Sequence, residues 1–117
     1  LILSYSHDHL VNGEFDPQLM LRLLKDAYDN ALKDGYAGLW ASGDIAWEFG
    51  PARDFDKLVQ YERALEAFFQ THPMLQGVCQ YHADVLPSEV VKNGLCVHPG
   101  IYVNETLSRL NVQYVPV

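Results

Sequence analysis

Between Asp16 and Gly35, apolar side chains return every three or four positions: Leu19, Met20, Leu23, Leu24, Ala27, Tyr28, Ala31 and Leu32. Arg22, Lys25, Asp26, Asp29 and Lys33 occupy the other face. That period predicts an amphipathic helix, opened by an Asp16 N-cap with Pro17 in its first turn and stopped by Gly35. A second helix is predicted from Leu58, Val59, Tyr61, Leu65, Phe68 and Phe69, capped by Asp54 or Asp56 and ended at Thr71-His72-Pro73. Between them, Tyr36 to Ala41 is apolar on both faces, which suits a strand in the middle of a sheet. Met74 to Tyr81 reads as another strand. Pro87 opens a short helix through Val90, Val91 and Leu95, and His98-Pro99-Gly100 is a turn. Leu1 to Tyr5 and Ile101 to Val103 read as strands, Ser6 to Gly13 and Glu48 to Arg53 as loops, and Asn104 as the cap of a last helical turn to Leu110. Strands alternating with helices predict an α/β fold: a mostly parallel sheet with helices packed on its faces.

With 117 residues, 49% hydrophobic and 20% charged, the chain is expected to be a single globular domain over 1–117. It carries 8 Lys and Arg against 15 Asp and Glu, for a net charge of −7. Such acidity repels phosphate backbones, so direct nucleic-acid binding is not expected. No apolar run is long enough for a membrane span and no signal peptide is visible, which points to the cytoplasm. Cys79 and Cys96 sit in apolar surroundings, as reduced core thiols do. The opening Leu-Ile-Leu lies inside a predicted strand, so a fragment of a longer chain is expected. The sequence contains neither GxxxxGK[ST] nor GxGxxG, the two devices that cradle nucleotide phosphates, and no cofactor or resident metal is expected.

The richest stretch is GYAGLWASGDIAW, residues 35–47, in which a strand runs into Ser42, Gly43 and Asp44 and then Trp47 and Glu48. Ligands of open α/β sheets bind beyond the carboxyl ends of the strands. A central strand capped by a turn, with Trp47 covering the core, explains the same residues. Asp44 and Glu48, four apart, could share a proton and act as acid and base; helix capping by Asp44 is the alternative. His7-Asp8-His9 offers two metal ligands without a third, and reads better as an exposed loop. Cys79, His82 and Asp84 lie too close along one strand and turn to align as a nucleophilic triad. His98 could reach the strand edge that carries Asp44.

Taken in order, NGEFDPQLML, GYAGLWASGDIAW, YERAL, VCQYHADVLPSEVV and VHPGIYVN resemble the MEDS family, the methanogen/methylotroph sensory domain found in the dichloromethane-dehalogenase repressor. The matching residues are Gly13, Phe15 and Asp16; Gly35, Tyr36, Gly38 and Leu39; Gly43, Asp44 and Trp47; Tyr61 and Glu62; Cys79, Gln80, Tyr81 and Pro87; His98 and Pro99. The resemblance covers nearly the whole chain and corresponds to the C-terminal two-thirds or so of such a domain. It implies a degenerate, three-layer relative of the RecA/KaiC ATPase fold, with the strand ending at Asp44 in the place of the acidic Walker-B strand. It also implies a non-catalytic sensor of small hydrocarbon derivatives, joined to a histidine kinase, a DNA-binding region or another output. On that basis the expected ligand-binding residues are Ser42, Asp44, Trp47, Tyr61, Gln80, Tyr81 and His98, a largely apolar pocket with a few orienting polar groups. A sheet edge left open by missing neighbours would allow two copies to pair. The alternatives are a small hydrolase using Asp44, Glu48 or His98, and an ATPase-like scaffold that serves only oligomerisation.

Overall fold

Asp16 opens the first helix in the way its sequence context predicts. In the computed structural model, which describes residues 1–4, 8, 10–45, 55–104 and 107–116 and the side chains of these except 103, 104 and 107–110, helix α1 spans Pro17–Lys33. The Asp16 carboxylate accepts hydrogen bonds from the backbone N–H groups of Gln18 (2.9 Å) and Leu19 (3.2 Å), donors that have no partner inside the helix. At the other end Gly35 takes φ +90°. The Tyr36 N–H then reaches the Ala31 carbonyl and the Gly35 N–H the Leu32 carbonyl, the paired bonds of a glycine-terminated helix.

The strand that follows, β3 (Leu39–Asp44), pairs in parallel with β4 (Leu75–Gln80), so that Ser42 stands opposite Val78 and Asp44 opposite Gln80. Parallel strands need a crossover, and helix α2 (Phe55–Thr71) supplies it. Helix α3 (Ser88–Val97) follows β4. Two short antiparallel hairpins complete the described fold: β1 (Leu10–Val11) with β2 (Glu14–Phe15), and β5 (Gly100–Asn104) with β6 (Leu107–Leu110). The core gathers Phe15, Ile45, Leu58, Tyr61, Leu65, Leu86 and Val90, with Phe15 edge-on to the Tyr61 ring at 5.3 Å.

This architecture corrects several expectations. Among the described residues the sheet is one parallel pair flanked by two hairpins, not a mostly parallel sheet, and three layers are not seen. The strand expected at Tyr36–Ala41 starts three residues later, and only one of its faces is buried. Side chains alternate along β3 and β4: Gly77 and Cys79 face inward, where a Cβ at Gly77 would meet the Phe69 ring of α2. Trp40, Ser42, Val78 and Gln80 lie on the opposite face, with Trp40 63% exposed. Residues 1–4 form no strand and expose Leu1, Ile2 and Leu3, because a strand needs a neighbour to satisfy its backbone groups; Tyr5 lies outside the described residues.

The segment read as a polar loop contains a hairpin, and its turn is Asn12-Gly13, both at positive φ (52° and 78°). That is the two-residue geometry whose twist matches the flanking strands. Asn104 belongs to β5 instead of capping a helix, since Gly100–Asn104 pairs antiparallel with Leu107–Leu110. Pro87, at ψ 144°, is the N-cap of α3 and not its first helical residue. Asp56 lies within the first turn of α2, where its charge favours the helix dipole; Asp54 and the 48–53 loop fall outside the described residues. On α1, Leu23 and Leu32 are exposed while Met20, Leu21 and Leu24 pack against the core.

Candidate functional site

The carboxyl ends of β3 and β4 carry two sets of side chains, divided by the alternation of the strands. On the open face the Gln80 Nε2 donates to the Ser42 Oγ across the pair (2.7 Å). Two residues on, the His82 Nε2 donates to the Asp44 Oδ2 (3.1 Å). Both partners in the second contact are about half exposed, so it orients the side chains more than it stabilises the fold. Ser42, Asp44 and Gln80 are therefore brought together as expected, with His82 as a member the sequence reading had placed elsewhere. Trp47 and Glu48 lie outside the described residues, as do His7 and His9.

On the buried face Tyr81 meets His98, ring centroids 5.8 Å apart and nearly perpendicular. Tyr81 can lie there because residue 94 is glycine: a Cβ at that position would fall 2.5 Å from its ring. His98, the C-cap of α3, is held at both nitrogens. Its Nδ1–H donates to the Gly94 carbonyl (2.7 Å), the last-turn bond that satisfies a helix carbonyl. Its Nε2 stands 2.9 Å from the Glu62 Oε2. Glu62 is 2% exposed, and among the described residues no group other than His98 approaches its oxygens as a donor. Burial pushes the His98 pKa down, but contact with the Glu62 carboxylate, its charge and the Gly94 carbonyl outweigh that, and the net displacement is upward. The Cys79 thiol completes the group: one ligand-capable atom each from Glu62, Cys79 and His98 lies within 4.8 Å of the others.

Beside this cluster a crevice between α2 and α3 is walled by Leu58, Glu62, Tyr81, Val90 and Gly94 and leaves no room for a water molecule. Its floor is fastened from the C-terminal side. The Asn111 side chain donates to the carbonyls of Leu95 and His98, and its Oδ1 accepts from the Gln113 N–H. Tyr114 donates to Glu66 on α2 (2.9 Å), and the Val115 N–H bonds the Cys96 carbonyl. Asn111 thus satisfies carbonyls at the end of α3 that the helix itself cannot.

Of the residues named for a hydrolase, Glu48 lies outside the described residues, and the described two, Asp44 and His98, do not come together. His98 is committed to Glu62 and Gly94, while Asp44 engages His82. Cys79, His82 and Asp84 do not assemble either, because His82 faces Asp44 across the strands. Tyr61, expected near the ligand, packs edge-on against Phe15 within the core. Two residues given no role in the expected site, Glu62 and Cys79, are central to the buried cluster. Glu62 was open to discovery: it falls at the spacing of Leu58, Leu65 and Phe69, a carboxylate within an apolar stripe.

Gly94→Ala tests this packing. The added methyl forces the Tyr81 ring aside, and overpacking of this kind costs about 1–3 kcal/mol. Thermal unfolding is expected to show that loss, with Tyr81→Ala recovering part of it in the double variant. Equal stability of Gly94→Ala and wild type would mean that the ring is loosely held.

Fold and site together define a small α/β domain, built on one parallel strand–helix–strand unit with a closed polar cluster beneath it. The chain belongs to the MEDS family, the MEthanogen/methylotroph, DcmR Sensory domain, whose model matches residues 1–99. That match covers the phrases that hold Glu62, Cys79 and His98. Comparison with curated proteins and with solved structures returns no match. No helix among the described residues is long and apolar enough to cross a membrane.

Proposed function

We propose that this domain is the cytoplasmic ligand-sensing part of a signalling protein, taking up a small, largely apolar molecule such as a simple hydrocarbon derivative. The observation that carries this is membership of a sensory-domain family over residues 1–99. The ligand sits at the carboxyl ends of β3 and β4. Tyr81 and His98 line its inner side and Ser42, Asp44 and Gln80 its polar rim; Trp47 is assigned to the same site, and Tyr61, packed on Phe15, backs it from the core. Because the crevice between α2 and α3 is closed, a molecule enters only if α3 moves away from α2. Binding is then tied to a change of conformation, which is what a sensor needs in order to report. An attached histidine kinase or DNA-binding region receives the signal and sets transcription, and two copies pair through the open sheet. The RecA/KaiC-like ancestry fits the β3–α2–β4 crossover.

Thermal unfolding against one-carbon and halogenated compounds, short organic acids and nucleotides tests the reading. A true ligand at about 100 times its Kd adds about 2.7 kcal/mol. That is several degrees in Tm for a domain of this size, and the shift disappears in Trp47→Ala. A shift with nucleotides alone would replace the sensor with a working ATPase relative. No shift with any compound would leave the scaffold.

A further inference from the structure

We propose that Glu62, Cys79 and His98 form a binding site for one borderline-soft divalent cation, of which Zn2+ is the type. The three come from different elements, α2, β4 and the end of α3, and their ligand-capable atoms lie within 4.8 Å of one another. Tetrahedral Zn2+ with bonds of about 2.0–2.3 Å sets its ligand atoms roughly 3.2–3.8 Å apart, so side-chain adjustments of about an ångström or less close the site.

The second observation is the state of Glu62. Its carboxylate is 2% exposed and, apart from the 2.9 Å approach of the His98 Nε2, neither oxygen meets a hydrogen-bond donor among the described residues. A charge held in that way calls for a cation. The third is the orientation of His98. Its Nδ1–H is spent on the Gly94 carbonyl, so in the neutral ring the Nε2 lone pair points at a carboxylate oxygen 2.9 Å away. Two lone pairs then face each other, so the position between them takes either a proton, which makes the ion pair, or a metal ion that displaces it. An imidazole with one nitrogen fixed by a backbone carbonyl and the other turned toward a second ligand atom is the usual arrangement of a metal-binding histidine.

The same geometry speaks against nucleophilic use of the thiol. In a Cys–His–acid triad one ring nitrogen serves the thiol and the other the acid. Here the carbonyl holds one and the carboxylate the other. Thiolate with imidazole selects Zn2+ over Mg2+ or Ca2+, which require a shell of oxygens. On binding, the Cys79 thiol loses its proton to solvent and the thiolate bonds the metal. Three protein ligands leave a fourth position for water or an added donor atom. The site stands independently of the sensory reading.

Metal titration of the full chain, first stripped with a chelator, tests it, with Co2+ as the spectroscopic probe. One Co2+ per chain is expected, with the strong visible bands of tetrahedral cobalt and a thiolate-to-cobalt charge-transfer band, all displaced by Zn2+. Cys79→Ser should abolish the charge-transfer band and Cys96→Ser leave it intact. Glu62→Gln should weaken binding by more than the roughly 10–100-fold that outer partners of a metal site contribute. Alkylation of the wild-type protein needs no folded variant: Zn2+ should protect Cys79 and leave the rate at Cys96 unchanged. Absence of the charge-transfer band, its survival in Cys79→Ser, or unprotected Cys79 would each overturn the site.

Discussion

Replacing His98 with alanine in the metal-stripped protein is expected to destabilise the domain more than any other single change at the site. The substitution removes the charged partner that the described residues offer a carboxylate 2% exposed. Breaking a buried ion pair from one side costs about 3–5 kcal/mol; His98 is itself 27% exposed, so the lower end applies. The informative comparison is Glu62→Leu, which removes the buried charge and fills its place with apolar volume. His98 can then turn its Nε2 to solvent, and the exchange should be close to neutral or stabilising. His98→Ala combined with Glu62→Leu should recover most of the loss. Urea unfolding of the four proteins in the presence of chelator measures all of this. If Glu62→Leu proved as damaging as His98→Ala, the pair would be a net stabiliser and no metal would be needed to account for the carboxylate.

The second large effect is expected at Leu58, which is 1% exposed and belongs both to the core and to the wall of the crevice. Truncation to alanine removes three carbons from a fully enclosed place where α2 meets Tyr81, Val90 and Gly94. The expected loss is about 3 kcal/mol, roughly 10 °C in Tm. Leu23→Ala on α1 is the control, because that side chain is 39% exposed and should cost well under half as much. Scanning calorimetry on both variants decides the matter. Comparable losses would place the α1 surface against something that the chain by itself does not supply.

Which parts of this were legible in the residues follows from the range of the interactions involved. Helix α1 was fully legible: its cap, its first-turn proline, its period and its glycine stop all act within a few residues of one another. The β3–α2–β4 alternation was legible for the same reason, since each element carries its own pattern. The Asn12-Gly13 hairpin was equally local, and a two-residue turn of that composition could have been read. The 100–110 hairpin was harder, because pairing between two short strands is decided across the turn and not within either one.

The site divides along the same line. Ser42, Asp44 and Gln80 could be gathered from sequence because they lie at the ends of two strands, where a parallel pair must bring them together. The motif phrases contained Glu62, Cys79 and His98, and the family reading reached all three. Their convergence could not be read, for it depends on how α2, β4 and α3 stack, and on Gly94 leaving the space that Tyr81 fills. By itself the sequence determined α1, the β3–α2–β4 alternation, the acidic balance and the family, all properties of short stretches or of their order. Tertiary structure alone decided that one face of the β3–β4 pair is open, and that a buried carboxylate, an imidazole and a thiol share one place beneath the other, because burial and contact between distant residues exist only once the elements have packed.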